Sequence, residues 1–265
     1  MHKHILTIFL VIMLLGNHIA SAKNNPGADG NHTYQPGEKL KYSLKYGFIK
    51  GGYISFTVKD TLWNGINTHE LELFAKTSGM VDVLFKVRDK YASYIDPTSD
   101  QPLKSVRDIR EGRYEYYNEV VYDYHTLRED SITIQSKKSG SVRVPPHIHD
   151  IVSAFYFARR YKFNDQMKVG DILEFTTYFS DEIFPLKIKY VGNQMVRTKF
   201  GKSECYLFHP VTEVGRMFET EEDMKIWVTR DKNKIPIKAK VNLKVGSFTC
   251  ELIEHTGLKN ALGKQ

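Results

Sequence analysis

Apolar and polar residues alternate with a period of two along most of the chain, the pattern of half-buried β-strands. Leu40, Tyr42, Leu44 and Tyr46 alternate with Lys41, Ser43 and Lys45, so one face of this segment is apolar and the other polar. Ile54, Phe56 and Val58 repeat the pattern against Ser55, Thr57 and Lys59. Shorter versions occur at Leu71 and Leu73, at Ile132 and Ile134, and at Ile226 and Val228 around Trp227. Turn-forming residues punctuate these runs at Gly51-Gly52, Asn64-Gly65, Asp96-Pro97, Ser139-Gly140, Gly192-Asn193 and Asp231-Lys232-Asn233. The implied class is all-β and predominantly antiparallel.

One segment departs from this pattern. Behind Pro145-Pro146, Asp150 is placed to cap a helix, and Ile151 to Tyr161 has neither turn residues nor strand alternation. Ile151, Phe155 and Ala158 fall on one helical face, widened by Val152 and Tyr156. Arg159 and Arg160 end the segment, where cations suit the helix dipole. The pattern predicts one central helix over 150–161, buried on a broad face, and a shorter helical turn near Met80 to Phe85.

The regions on either side of the helix resemble each other. Gly37-Glu38-Lys39-Leu40-Lys41-Tyr42 is echoed by Gly170-Asp171-Ile172-Leu173-Glu174-Phe175. Pro102-Leu103-Lys104 is echoed by Pro236-Ile237-Lys238, and Gly112 and Tyr114 by Gly246 and Phe248. All three echoes keep nearly one offset in sequence, which isolated coincidences would not do. The spacing predicts two duplicated curved β units, 34–145 and 167–257, within a single β body over 34–258. Barrel-like and sandwich packing both satisfy it, with the helix covering an opening.

The N-terminal residues 1–22 read as a secretory signal peptide. Lys3 precedes an apolar run from Ile5 to Leu15, and Ala20-Ser21-Ala22 supplies a small-residue cleavage pattern. The apolar run is about half the ~20 residues that a membrane-spanning helix needs. Cleavage near Ala22 is expected, followed by a disordered polar leader over 23–33 and a soluble periplasmic or secreted chain. Lys and Arg total 38 against 31 Asp and Glu, a net charge of +7. The basic residues are interleaved with acidic ones, as on a solvated surface. With an export signal and no concentrated basic face, nucleic acid is not an expected partner.

Candidate chemistry is sparse. Cys205 and Cys250 are an even pair, compatible with one disulfide in an oxidising compartment if their Cα atoms lie within about 7 Å. His147 and His149, beside Asp150, are candidate metal ligands. A third ligand would have to come from afar, from His125, His209 or His255, and Asp150 is better explained as a helix cap. Glu219-Thr220-Glu221-Glu222-Asp223 offers carboxylates for acid–base work but reads as an exposed hairpin. Arg107, Arg110 and Arg113, with Tyr114, Tyr116 and Tyr117, could contact an anionic or sugar ligand, although strand alternation divides them between two faces. Gly201-Lys202-Ser203 ends like a phosphate-binding loop, but Val196 stands where that motif needs a glycine. Cys205 and His209, four residues apart on a strand, suggest no nucleophile. No catalytic residue and no cofactor is assigned, and the reading leans away from an enzyme.

Several of these segments together resemble a known group. They are Tyr34 to Tyr42 (YQPGEKLKY), Gly51-Gly52, Asp150 to Tyr156 (DIVSAFY), Trp227 to Asp231 (WVTRD), Ile235-Pro236, Gly246-Ser247-Phe248 and Glu251-Leu252. In this the chain is similar to the bacterial exported domain-of-unknown-function family 3108. The resemblance implies a mostly β protein of the Gram-negative periplasm, with no established activity and no catalytic residues to carry over. The function expected is a non-enzymatic binding or chaperone-like protein whose interior shelters a lipid, a lipoprotein or another hydrophobic ligand. The alternatives are an envelope protein-interaction factor or a hydrolase acting on envelope glycans, and an anionic glycan is a further candidate partner.

Overall fold

A computed structural model describes residues 33–211, 223–243 and 245–263. The expected signal peptide, and all of the leader except Thr33, lie outside the described residues. The first part of the chain forms β1 (Lys39–Tyr46), β2 (Ile49–Trp63), β3 (Ile66–Thr77), the short helix α1 (Gly79–Leu84), β4 (Arg88–Ile95), β5 (Pro102–Glu111), β6 (Tyr114–Arg128), β7 (Ser131–Ser136) and β8 (Gly140–Val144). After the central helix α2 (Ile151–Phe157) come β9 (Ile172–Phe179), β10 (Glu182–Thr198), β11 (Gly201–Pro210), β12 (Met224–Thr229), β13 (Pro236–Asn242) and β14 (Ser247–Thr256).

Each part is an antiparallel meander, and β14 pairs with β1 from Lys39 opposite Thr256 to Tyr46 opposite Phe248. That ladder fuses both meanders into one 14-stranded sheet. The body is therefore a single continuous curved sheet and not two separate sheets packed face to face.

The spacing of the repeated motifs recurs in the strands. β1 opens at Lys39 and β9 at Ile172; β5 opens at Pro102 and β13 at Pro236, and the two offsets agree to within a single position. β2, β3, β4 and β6 correspond in the same way to β10, β11, β12 and β14. The hairpin β7–β8 has no counterpart in the second part. It occupies the edge of β6 that a symmetric arrangement would offer to β9, so the sheet ends at β8 and β9 and is not closed.

Two glycine-containing pairs read as turns lie inside strands. Gly51-Gly52 is within β2, and the hairpin turns earlier, at Gly47-Phe48. A Cβ on Gly52 would run into the backbone carbonyl of Lys76 on β3, so glycine permits the close approach of these two strands. Gly192-Asn193 is within β10, where the register shifts between Tyr190 and Gly192 and the glycine takes φ 124°.

The helix begins where the sequence placed it. The Asp150 carboxylate accepts from the amides of Val152 (2.8 Å) and Ser153 (3.1 Å), and the Ser153 hydroxyl accepts from the Asp150 amide (3.0 Å). This is a capping box with serine in the third position. The second carboxylate oxygen takes a bond from Ser93 on β4 at 2.6 Å, which ties the helix start to the sheet. Just before it, His149 forms a parallel bridge with Thr177 of β9, so the strap leading into the helix covers part of that free edge. The helix ends in one π-helical turn over Ala158–Lys162.

The two arginines of that turn do not serve as exposed partners of a helix dipole. Arg159 lies fully buried in a bidentate pair with Glu38, and Arg160 pairs with buried Asp100 at 2.9 Å. Tyr34 donates to the same Asp100 oxygen at 2.7 Å and sets its ring against Tyr156. Asn233 accepts from Arg159 through its carbonyl and holds the C-terminal segment through Asn260 and Ala261. A buried polar network thus joins the start of β1, the β4–β5 turn, the β12–β13 turn and the helix end.

Candidate functional site

The inner face of the sheet and the lower flank of α2 do not fill the space between them. A cavity of about 140 Å³ remains, lined from β1 and β2 by Tyr42, Ile54 and Phe56, and from the helix by Ile151, Ala154, Phe155 and Ala158. The second half supplies Phe175, Leu186, Ile188, Phe208, Ile226 and Val228. Strand alternation places these side chains on the concave face, and the broad apolar stripe of the helix faces them. Tyr42 and Phe175 are matched residues of the duplicated opening motif, so both repeats contribute the same position to the wall.

The wall is almost entirely apolar. Phe155 stacks on Phe56 with ring centroids 4.5 Å apart, and Tyr42 meets Phe56 edge-on at 5.8 Å. Its polar groups are Tyr42, Lys238 and Cys250. Burial raises both the Tyr42 phenol and the Cys250 thiol, the latter to about 12, so both stay protonated and neutral. The Tyr42 hydroxyl is buried with no hydrogen-bond partner among the described residues. A void of this kind denies its lining atoms dispersion contacts that a close-packed interior would supply. Apolar cavities of about 150 Å³ take up a benzene-sized molecule. This one can therefore hold a ring or a short stretch of acyl chain.

A second, polar cavity of about 40 Å³ lies by the helix start, lined by Arg107, Tyr116, Asn118, Asp150 and Asp181 among others. Here the β9–β10 turn folds over β6 and β7. Asp181 accepts from Asn118 (3.0 Å), Ser136 (3.1 Å) and Ser139 (3.0 Å) with one oxygen and from Tyr116 (2.9 Å) with the other. Ser180 and Asp181 hold left-handed backbone angles, φ 53° and 67°, which favour glycine or asparagine. Arg107 donates to Ser180 at 2.9 Å and lies against the rings of Tyr116 and Phe179. Burial and the bond to Asp181 push Tyr116 up to about 12. Apart from the buried Arg107 Nε, these polar groups satisfy one another, and the arrangement acts as a clasp between the two halves.

The residues singled out by sequence fall in different places. His149 is buried, with Nδ1 at 3.3 Å from the Ser153 hydroxyl and its ring on Phe157; burial lowers it to about 3, so it is neutral. His147 is exposed beside Gln101. The two imidazoles therefore share no ligand position, and no group of three or more His, Cys, Asp or Glu converges among the described residues. His125, His209 and His255 are dispersed over β6, β11 and β14. Cys205 and Cys250 are free, buried thiols. Strands β12 and β13 lie between them in the sheet, about 14 Å at three strand spacings, beyond the reach of a disulfide.

Gly201-Lys202-Ser203 opens β11 and precedes no helix. Glu219 to Glu222 lie outside the described residues, and Asp223 borders β12. The Arg and Tyr stretch divides as strand alternation requires: Arg107 and Tyr116 turn inward, Arg110 pairs with Asp108 outside, Tyr117 bonds Glu119, and Arg113 and Tyr114 flank the exposed β5–β6 turn. Sequence reasoning missed Asp181 and Glu38, whose partners lie far away along the chain. It expected a sheltering apolar interior beneath the helix but did not name the residues that line it, although Phe175, Leu186 and Ile188 of the apolar runs in β9 and β10 supply part of that wall.

The model of the family described as Protein of unknown function (DUF3108) matches residues 41–253. The chain belongs to this family. The DUF3108 match spans both repeats and the helix between them, and hence the whole lining of the cavity. No curated protein matches the chain. Among solved structures, it is similar to a beta-barrel-like protein of domain of unknown function DUF1849 from Brucella abortus. That likeness has TM-score 0.53 and 7% identity, covering 84% of this chain and 98% of that one, and shows a shared fold. A DUF1089 family protein from Pseudomonas aeruginosa is aligned over 93% of this chain and 100% of its own, at 11% identity and a TM-score of only 0.35.

Proposed function

We propose that this DUF3108 protein is a non-enzymatic periplasmic binding protein that shelters the apolar part of a lipid-like ligand between α2 and the sheet. The observation that carries this reading is the unfilled, almost wholly apolar cavity, which a hydrocarbon group would complete. Its protonated thiol and phenol supply neither a nucleophile nor a charged acid–base pair. The N-terminal export pattern supports a periplasmic site of action.

Native mass spectrometry of the protein isolated from its own periplasm tests the reading directly, and the expected result is a co-purifying lipid-like mass. A second arm measures displacement of an environment-sensitive dye by fatty acids. Ala154→Phe fills the cavity from the helix side and is expected to reduce fatty-acid affinity roughly tenfold while the fold is kept, about the value of one or two buried methylenes. A protein that carries no ligand and binds fatty acid equally with and without that substitution would overturn the proposal.

A further inference from the structure

At the end of the sheet that carries the β1–β2 turn, three loops expose apolar side chains together. Helix α1 buries none of its residues, and Met80, Val83 and Leu84 are 76%, 80% and 81% exposed. Phe48, at the tip of the β1–β2 turn, is 95% exposed and Ile49 50%. Val245, on the β13–β14 turn, is 77% exposed. Hydrogen bonds hold these loops side by side: the Ser78 amide donates to the Gly51 carbonyl at 3.0 Å, and the Tyr46 hydroxyl donates to the Val245 carbonyl at 2.6 Å.

The helix that presents these groups is fixed in place. Asp82 accepts from Thr77 at 2.5 Å and from both terminal nitrogens of Arg88 at 2.7 and 3.0 Å. Exposure of its apolar face is therefore a property of an anchored element and not of a frayed one. The duplicated half shows that this exposure is not imposed by the fold. Ser180-Asp181 occupies the place of Gly47-Phe48 at the offset of the repeat, and there the tip is polar and folded back into the clasp. The first half instead carries a phenylalanine directed to solvent.

Positive charge surrounds the apolar groups. Lys50, Lys76 and Lys86 are exposed, and none has a carboxylate partner among the described residues. Lys45 lies opposite Lys50 in register, and the Lys50 ammonium sits 4.5 Å over Tyr53. The acid on α1, Asp82, is already neutralised by Arg88. Apolar side chains ringed by unpaired lysines match the interface of an anionic bilayer, with hydrocarbon below and negative headgroups around it. They match a protein interface less well, since interface cores are depleted in lysine.

We infer that this end of the molecule docks on an anionic lipid surface, with Phe48, Met80, Val83 and Leu84 entering the acyl boundary and Lys50, Lys76 and Lys86 contacting headgroups. The inference stands independently of what occupies the cavity.

The test is sedimentation of the mature chain with vesicles of phosphatidylcholine alone or with about one third phosphatidylglycerol. Binding is expected to the anionic vesicles and to weaken with added salt. The double substitution Phe48→Ser, Leu84→Ser is expected to lower partitioning roughly tenfold or more. Lys50→Glu with Lys76→Glu is expected to abolish the preference for anionic vesicles. All four side chains are surface groups, so unchanged thermal melts accompany these losses. In a separate variant, Phe48→Trp is expected to shift its emission to the blue on vesicles, reporting insertion of the tip. Absence of binding to anionic vesicles, or full binding by the serine variant, overturns the inference. So does self-association of the wild-type chain that the serine variant abolishes, since the patch would then seat a second copy.

Discussion

Arg159 and Glu38, 121 residues apart in sequence, meet in a bidentate pair at 2.6 and 2.9 Å with neither side chain exposed. The guanidinium also donates twice to the Asn233 carbonyl, and its Cζ lies 5.1 Å from the Tyr156 ring centroid. Burial opposes the charge on Arg159, but the field and hydrogen bonds of Glu38 outweigh it and hold the group above its ordinary range. Removing one member leaves the other charged and buried. Glu38→Leu or Arg159→Met alone should cost about 3–5 kcal/mol of unfolding free energy, and the double substitution less than their sum. Urea titrations of the three variants measure this. Single substitutions within about 1 kcal/mol of wild type would contradict the role assigned to the pair.

Stability should also decline with pH through one buried carboxyl. Burial raises Asp89 to about 7; the Arg110 amide, 3.0 Å away, opposes this, while the charge of Glu111 adds to it. The unfolded carboxyl titrates near 3.8. Between these values the native state binds a proton that the unfolded state has released. The stabilisation is therefore full below pH ~4 and is lost as pH rises through about 7. Asp89→Asn should flatten this part of the stability curve, making the variant more stable relative to wild type at pH 8 than at pH 4, by on the order of 2–4 kcal/mol. Parallel curves for the two proteins across that range would refute the assignment.

Asp181 gathers four side-chain donors from β6, β7 and the following turn. Asp181→Ala should destabilise the chain by about 2–4 kcal/mol, because several buried donors lose their acceptor together. Hydrogen exchange should accelerate at the tips of β9 and β10 before it does in β1 and β14. Uniform acceleration across the sheet would mean that the clasp is not a local fastening.

The cysteines should behave as inert thiols. Burial raises each to about 12, assisted at Cys205 by Asp231 and Glu204. A thiol reagent at pH 8 is expected to leave both unmodified in the native protein and to label both after unfolding. Recovery of a peptide pair linked through Cys205 and Cys250 would contradict the sheet order between them.

Strand positions, the helix cap and the duplication were legible because each depends on neighbours in sequence. Leu40, Tyr42 and Leu44 alternate with polar residues whatever lies opposite, and Asp150 caps through amides two and three residues on. Contacts across the fold left no such trace. Arg159 reads as an ordinary C-terminal helix cation until Glu38 and Asn233 are brought to it. Asp181 reads as a turn residue, because its bonds come from β6 and β7. Gly52 marks a close approach to Lys76 and not a bend, and a glycine alone does not say which. The cavity was the hardest to read, since a void is a property of packing and not of any one residue.

The unequal seams give the body a mechanical direction. On one side a backbone ladder from Lys39 to Tyr46 welds the halves together; on the other, the β9–β10 tip is fastened by side chains around Asp181. Strain applied from within will spread the molecule at the fastening and leave the weld intact. Beside the short His149–Thr177 bridge, the gape of this open seam is then set by a handful of hydroxyls, an amide and one carboxylate, groups that substitution can loosen without unravelling a strand.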